Sequence, residues 1–202
     1  PSLASALPTE GHVVAGSGLI EQSAGQMTIT QQTGKMAIDW QKFNINTNES
    51  VRFVQPDRGS IALNRVLGQD PSSILGGLNA NGQVFVLNPN GVLFGDHAQV
   101  SVGGLVASTL SLLNDDFQSG QYHFTGKSIA SVLNKGTLTA TDGGYIALLG
   151  ADVSNEGSIA AQFGRVDLAA GDSVRLQIDN RSLASLLIDK GTMNALVANH
   201  GL

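Results

Sequence analysis

Cysteine is absent from this chain of 202 residues, and charged residues make up only 13% of it. Without thiols there is no disulfide framework and no cysteine-ligated metal site, so packing and hydrogen bonds must hold the fold together. The 11 Lys and Arg residues are scattered and are outnumbered by 16 Asp and Glu, which gives a formal net charge of −5. We therefore do not expect nucleic acid as a partner.

Long apolar segments are also missing. The two longest, at 105–113 and 145–149, are short or interrupted by polar residues, whereas a membrane-spanning helix needs about 18 apolar residues in a row. We therefore expect no stable insertion into a membrane. The chain begins at Pro1 without an apolar leader, which is compatible with a protein whose signal peptide has been removed.

Glycine, in contrast, is abundant, with 25 residues or roughly twice the usual share. Thr, Val, Ile, Ser and Asn are also frequent, whereas Lys and Glu, which commonly fill exposed helix faces, are rare. This composition favours strands and tight turns over helices. It predicts an all-β fold.

A repeat organises the second half of the chain. An Asn-x-Gly corner recurs after 21 residues and again after a further 44, which we interpret as two periods of 22. The corners lie at Asn134 and Gly136, at Asn155 and Gly157, and at Asn199 and Gly201. A unit of this length is too short for a strand-helix-strand crossover and suits one coil of a solenoid.

We therefore predict a right-handed parallel β-helix whose coils stack about 4.8 Å apart. One domain is expected over residues 1–202, with a cap over about residues 1–15 and with the last coils truncated at residue 202. Short helical turns are predicted at 70–77, where Asp, Pro and Gly punctuate the segment, and at 193–197. Strands are predicted at 27–30, 36–40, 51–54, 61–64 and 84–87.

The most distinctive local pattern is the run Asn88, Pro89, Asn90 and Gly91, which follows the apolar segment 84–87. Asn at the first position can bond its own backbone, Pro presets φ at the second, and Gly suits the fourth, so the run predicts a type I turn. On local chemistry alone, this turn is a corner between two buried strands.

The wider context resembles a known family. Trp40, Phe43 and Asn44 form a Trp-x-x-Phe-Asn motif, and Asn-Pro-Asn-Gly follows Phe43 by 45 residues. Over roughly residues 11–176, the order and spacing of these motifs resemble the two-partner secretion domain of filamentous haemagglutinin-type exoproteins. The family's companion Asn-Pro-Asn-Leu signature has no match, and Val-Gln-Pro-Asp-Arg-Gly at 54–59 occupies its approximate place.

The resemblance, rather than residue spacing, implies a function. It implies a β-helix with an N-terminal cap and small extra-helical β elements, which acts as the secretion-recognition module of a large, adhesin-like exoprotein. The module would pass through the periplasm of a Gram-negative bacterium, where the POTRA domains of an Omp85-type outer-membrane transporter, the TpsB partner, bind it. It would then template β-helix folding during export to the cell surface, and no cofactor is implied. Contacts with host or bacterial surfaces would come from outside this chain.

The same resemblance assigns roles to residues. Asn88, Pro89, Asn90 and Gly91 map onto the family's secretion motif, and the partner could bind apolar side chains beside this turn or an exposed strand edge elsewhere. A structural role is expected for Trp40, Phe43, Asn44, Asn134, Gly136, Asn155 and Gly157.

Two other functions stay open. A directly adhesive β-helix would itself bind glycans or cells, and a carbohydrate-active β-helix would carry paired carboxylates at matching coil positions. The Asp and Glu residues are dispersed, and His12, His97, His123 and His200 show no ligand spacing. The segment 171–174 resembles a hydrolase nucleophile block around Ser173, but no His lies at a supporting position. We therefore expect neither a metal site nor an enzyme.

Overall fold

Within residues 6–202, the part of the chain that the computed structural model describes, the protein folds as a parallel β-helix. No helix of this part has the length and apolarity that a membrane crossing requires. In chain order the elements are β1 (His12–Ala15), β2 (Gly18–Ser23), β3 (Gln26–Gln31), β4 (Lys35–Trp40), β5 (Ser50–Val54), β6 (Ile61–Val66), β7 (Ser72–Ile74), β8 (Gly77–Ala80), β9 (Gln83–Leu87), β10 (Val92–Phe94), β11 (Gln99–Ser108), α1 (Asn114–Ser119), β12 (Tyr122–Thr125), β13 (Ser131–Asn134), β14 (Thr137–Gly150), β15 (Asp152–Asn155), β16 (Ser158–Ala161), β17 (Arg165–Ala170), β18 (Ser173–Asp179), β19 (Ser182–Lys190) and β20 (Leu196–Asn199).

The coils are built from three walls of parallel strands. Wall A contains β3, β5, β8 and β16 with the first halves of β11 and β14. Wall B contains β4, β6, β9 and β17 with the second halves of β11 and β14. Wall C contains β7, β10, β13, β15 and β20. The five strands predicted from sequence lie in β3, β4, β5, β6 and β9 and are confirmed.

Alternate residues of wall A fill the interior of the coils. Met27, Val51, Leu78, Val100 and Leu138 occupy one register position on successive strands, and each is at most 3% exposed. Their neighbours along each strand point to solvent. Wall A therefore shows the period-two alternation that marks a sheet with one buried face.

Two insertions leave the coils at the same corner, between wall B and wall C. Residues 109–130 carry α1 and β12, and residues 171–195 carry β18 and β19. Strand β12 pairs antiparallel with β18, and β18 pairs antiparallel with β19, so the insertions form one small sheet. These are the extra-helical β elements that the resemblance implied.

The small sheet covers the outer face of wall B and creates a second apolar core. Phe85 of β9 makes edge-to-face contacts with Phe117 and Tyr122 at centroid distances of 6.3 and 5.7 Å. All five residues of β9 are buried, because one face meets the coil interior and the other meets the insertion. Two-sided burial explains the continuous apolar character of this wall, including the segment 145–149.

Tyr145 lies at the centre of this second core. Its hydroxyl donates to Gln83 Oε1 at 2.5 Å, and Gln83 Nε2 donates to the carbonyl of Asn180, in the turn between β18 and β19, at 2.8 Å. Burial raises the pKa of Tyr145, and burial likewise raises the pKa of Tyr122 to about 12. The hydrogen-bonded chain fastens the tip of the hairpin to wall B.

These tyrosines predict a loss of stability at alkaline pH. An unfolded chain releases the tyrosine protons near pH 10.0, whereas the folded protein holds the Tyr122 proton to about pH 12. The free energy of unfolding should therefore be unaffected by Tyr122 below pH 10.0 and should fall as the pH rises toward 12. Because the chain has only two Tyr, tyrosinate absorbance during an alkaline titration reports on this pair alone. Tyr122→Phe should weaken the dependence of the free energy of unfolding on pH. A tyrosinate titration midpoint near pH 10.0 in the folded protein would contradict this prediction.

Helix α1 was not predicted from sequence. Its last turn is held by Lys35 of β4, whose ammonium donates to the carbonyls of Phe117 and Gln118 at 2.9 and 3.0 Å. The helix ends at Gly120, which has a left-handed φ of 80°. The tertiary contact to Lys35 therefore stabilises a helix that is only six residues long.

Both predicted helical turns are wrong. The segment 70–77 contains strand β7, and the segment 193–197 leads into strand β20. Strand β7 continues the wall C ladder between the bridge at Ile45 and strand β10, so its backbone groups are used by neighbouring coils. Parallel pairing with β15 fixes β20 in the same way.

The 44-residue shift is likewise not two periods. Asn155 and Asn199 are direct register partners on β15 and β20, so one coil separates them. The additional length is the inserted hairpin of β18 and β19. The 21-residue shift is confirmed, because Asn134 and Asn155 are direct partners on β13 and β15.

Antiparallel strands flank the first coil. Strand β1 pairs with β4, strand β2 pairs with β3, and Leu7 is 2% exposed against the interior. Residues 1–5 of the predicted cap lie outside the described residues. Strand β1 occupies the edge of wall B that no earlier coil covers.

Candidate recognition site

The run 88–91 forms the predicted turn at the corner between β9 of wall B and β10 of wall C. The Gly91 amide donates to the Asn88 carbonyl at 3.0 Å, which closes the turn. Gly91 has a φ of 119°, a conformation that side chains disfavour, so glycine is required there. The type I turn anticipated from sequence therefore has its closing hydrogen bond.

Asn88 is the anchor of this turn and is fully buried. Its Nδ2 donates to the Asp70 carbonyl and to Ser72 Oγ, both at 3.0 Å, in the preceding coil. Its Oδ1 accepts a hydrogen bond from the Asn90 amide at 2.9 Å. A side chain used this completely holds two coils together and is not available to a partner.

Pro89 and Asn90 instead face solvent. Asn90 Nδ2 donates to the Gly68 carbonyl at 2.9 Å, and Ser128 Oγ donates to the Pro89 carbonyl at 2.5 Å. These bonds connect the turn to the corner loops of the coils on either side. The two neighbouring loops expose Leu67 to 67% and Ile129 to 90%. We call Leu67, Pro89, Asn90 and Ile129 the NPNG face.

The Trp-x-x-Phe-Asn motif builds the first coil. Trp40 is 1% exposed, its Nε1 donates to Asn64 Oδ1 at 3.0 Å, and its ring meets Phe43 edge-to-face at 5.7 Å. Asn44 Oδ1 accepts a hydrogen bond from the Ser73 amide at 2.8 Å and so connects the first coil to wall C. The motif lies at the same corner between walls B and C as the NPNG turn, two coils earlier, and its Trp40 and Phe43 side chains are buried.

The repeated Asn corners form a ladder along wall C. Asn134 Nδ2 donates to Asn155 Oδ1 at 2.8 Å, and Asn155 Nδ2 donates to Asn199 Oδ1 at 2.8 Å. Asn134 and Asn155 also accept hydrogen bonds from the amides of Gly136 and Gly157. Each Asn therefore closes its own corner and bonds the next coil.

Comparison with known proteins decides the family. A model of the TPS secretion domain matches residues 4–202. The chain belongs to the TPS secretion domain family. The heme/hemopexin-binding protein of Haemophilus influenzae is 35% identical to this TPS domain over 206 residues, which cover 97% of this chain and 22% of that protein. A second heme/hemopexin-binding protein of that organism is 40% identical over 122 residues, 60% of this chain and 13% of that protein. The TPS domain thus spans about a fifth or less of these relatives.

Solved structures agree with the fold. The HMW1 secretion domain from Haemophilus influenzae has a TM-score of 0.83 at 31% identity, covering 90% of the TPS domain and 50% of that chain. The filamentous hemagglutinin secretion domain has a TM-score of 0.63 at 17% identity, covering 97% and 73%, and supports the fold alone. The predicted parallel β-helix and the resemblance to two-partner secretion domains are confirmed, so the domain is a secretion domain of a secreted exoprotein.

Sequence reasoning missed a buried polar network between walls A and B. Gln55 Nε2 donates to Gln31 Oε1 and to the Gln83 carbonyl, at 3.0 and 3.1 Å, and Gln55 Oε1 accepts from the Gly82 amide. Gln55 lies in the segment 54–59, so this segment has a structural use in the TPS domain. The sequence signal for this network is that Gln recurs at the end of wall A strands, as Gln31 at the end of β3 and Gln55 directly after β5.

The structure also corrects the expectation at Ser173. Antiparallel pairing of β12 with β18 brings His123 Nε2 to 2.9 Å from Ser173 Oγ. The same nitrogen lies 3.6 Å from Asp189 Oδ2, and that carboxylate also pairs with Arg175. In a catalytic triad the carboxylate orients the other ring nitrogen, so this cluster on the small sheet lacks triad geometry.

Proposed function

We propose that this TPS domain is the part of a larger exoprotein that an Omp85-type outer-membrane transporter recognises in the periplasm through its POTRA domains. Membership of the secretion-domain family supports the presence of a transporter partner. The main observation in support of the proposed site is that the buried Asn88 fixes an exposed turn in the NPNG face. A rigid surface loses little conformational entropy on binding, which favours recognition.

The NPNG face has the composition of a small protein-binding surface. Leu67 and Ile129 expose apolar side chains in the two loops that flank the polar turn, and Asn90, whose Nδ2 donates to Gly68 and Asn88, presents its Oδ1. Exposed large apolar side chains on well-fixed loops have no folding benefit and are common at binding surfaces. We therefore favour these side chains over an exposed strand edge as the transporter contact.

Folding of the β-helix can also drive export of the chain in one direction. Each coil that stacks on the domain would bury ~200 Å² of apolar surface, a gain on the order of 5 kcal/mol before chain entropy is subtracted. No catalytic step belongs to this function, and the Ser173 cluster has no part in it.

The test is binding of the TPS domain to the purified POTRA domains of the cognate transporter. Combined Asn90→Ala and Ile129→Ala substitutions should weaken binding about tenfold or more, as expected for two truncated contacts, with an unchanged circular dichroism spectrum. Asn48→Ala, an exposed asparagine on another corner, is the matched control and should bind like wild type. Unchanged affinity of the double variant would remove the NPNG face from the proposal. Failure of the wild type to bind would overturn POTRA recognition itself.

A second function concerns the whole exoprotein. Because a heme/hemopexin-binding protein is 35% identical over nearly all of this chain, we propose that the exoprotein carrying the TPS domain binds haem or hemopexin. The isolated TPS domain and the complete exoprotein should be compared for retention on haem-agarose and on immobilised hemopexin. Retention of neither protein on either resin would contradict the proposal.

A further inference from the structure

The outer face of wall A carries a groove that the secretion function does not use. The groove has a volume of about 690 Å³ and crosses β3, β5, β8 and β11. Its polar lining consists of Gln26, Ser50, Arg52, Asn79, Asn81 and Ser101. It lies on a wall other than the B–C corner that carries the NPNG turn.

The strand register explains which side chains line the groove together. Arg52, Asn79 and Ser101 occupy one position on adjacent strands and form a polar row that points outward. These outward-pointing side chains therefore line the groove across three adjacent strands.

The polar groups of this row are unused by the fold. Within residues 6–202, Arg52, Asn79 and Ser101 make no side-chain hydrogen bond or ion pair. By contrast, Arg65 and Arg175 each pair with an aspartate. Arg52 is also the one charged residue among those that line the groove. The guanidinium therefore presents an unpaired donor fork, which suits a carboxylate.

The surroundings restrict the class of ligand. Strands β5, β8 and β11 are hydrogen-bonded on both sides, so their backbones cannot accept an added peptide strand. The lining offers hydroxyl, amide and guanidinium groups in a row with a strand spacing of about 4.8 Å, which matches a chain of hydroxyl-bearing rings. The lining holds a single cation, so it pairs with one acidic group of a ligand, and its remaining polar groups are left for uncharged hydroxyl groups.

We propose that the wall A groove binds a linear acidic oligosaccharide, with the Arg52 guanidinium paired to a sugar carboxylate. Asn79 and Ser101 then bond hydroxyl groups of the neighbouring sugar across the strands. The site is independent of transporter recognition, because no residue of the NPNG face lines it. Such a site gives the secretion domain an adhesive function after export.

The experiment is calorimetric titration of the TPS domain with three oligosaccharide probes. Tetragalacturonate represents linear uronate chains, sialyllactose represents glycans with a terminal acidic sugar, and cellotetraose is the neutral control. We expect binding of tetragalacturonate, weaker binding at higher ionic strength, and no binding of cellotetraose. If cellotetraose binds as tightly as tetragalacturonate, the proposed role of the carboxylate is wrong. If sialyllactose binds more tightly than tetragalacturonate, the proposal of a linear acidic chain as the ligand is wrong.

Two arginine variants locate the site. Arg52→Gln should weaken tetragalacturonate binding about tenfold or more, because it removes a charge-assisted hydrogen-bonded pair. Arg175→Gln removes the same charge from the small sheet, outside the groove, and should leave the affinity unchanged. Both residues are exposed, so both variants should fold. Equal losses in the two variants would indicate nonspecific charge attraction, and a wild-type domain that binds none of the probes would overturn the proposal.

Discussion

Replacement of Gly157 by Ala should lower the free energy of unfolding by about 3 kcal/mol, because the added methyl group has no space. A Cβ atom at Gly157 would lie 2.2 Å from the Gly136 carbonyl oxygen and 2.6 Å from the Lys135 carbonyl carbon. Both atoms belong to the backbone of the preceding coil and cannot rotate away. The two coils would have to separate at this corner, which would strain the Asn134–Asn155 hydrogen bond beside it.

Gly34→Ala is the matched control for this variant. A Cβ atom at Gly34 meets nothing within 4 Å, and the residue has no positive φ. This substitution should change stability by no more than about 0.5 kcal/mol. Urea unfolding followed by circular dichroism measures both variants. If Gly157→Ala is as stable as Gly34→Ala, close backbone stacking does not explain why glycine recurs at the corners.

The same stacking explains how much of the fold was visible in the sequence. Between residues 131 and 170 successive coils follow each other without insertion, so the Asn-x-Gly corner at Asn134 recurs one coil later at Asn155. Backbones that approach at every coil exclude side chains from the corner, and this exclusion produces the pattern. The prediction of a parallel β-helix therefore depended on residues whose environment is set by their own coil and the next one.

The insertions were not predictable by this reasoning. Strand β18 alternates polar and apolar residues as coil strands do, yet it pairs antiparallel with β19 outside the coils. Their position depends on contacts with β12, about 50 residues earlier, and on the Gln83 bond to Asn180. The prediction of a helical turn at 70–77 was wrong for a related reason. Its Asp-Pro start is a good local helix signal, but the wall C ladder outweighs local propensity.

The candidate site was predicted in part. The turn at 88–91 follows from local turn chemistry, and its structure agrees with that prediction. The burial of Asn88 and the exposure of Ile129 do not follow, because both depend on how neighbouring coils and the first insertion are placed. The sequence motif therefore combines an internal anchor with an external turn. Recognition experiments that replace Asn88 and Asn90 together would confuse these two roles.

The TPS domain separates its surfaces by wall. Wall B is covered by the small sheet, wall A exposes the groove, and the corner between walls B and C exposes the NPNG face. A rigid scaffold with distinct faces allows transporter binding and sugar binding to be tested by variants that do not share residues. This separation follows from the two insertions, which leave the coils at one corner and close over one wall.

Replacement of Trp40 by Ala should destabilise the domain by about 3–5 kcal/mol, the range for deleting a large aromatic side chain from a core. Trp40 is 1% exposed, and a Cβ atom at Gly11 would lie 2.4 Å from its ring, so the N-terminal segment packs directly on the indole. Trp40→Phe retains a ring but leaves Asn64 Oδ1 without the indole donor, and should cost about 1–3 kcal/mol. Urea unfolding followed by circular dichroism is again the measurement, since the chain has no other Trp to report by fluorescence.

Leu19→Ala, on strand β2 with 55% of the side chain exposed, is the control and should change stability by less than about 1 kcal/mol. A Trp40→Ala variant no less stable than Leu19→Ala would contradict the role of the indole in the first coil. If the role is correct, Trp40→Ala should lose transporter binding in proportion to its unfolded fraction, so that binding returns at lower temperature or lower urea. Variants of the NPNG face should instead lose binding while fully folded, because their side chains lie outside the core.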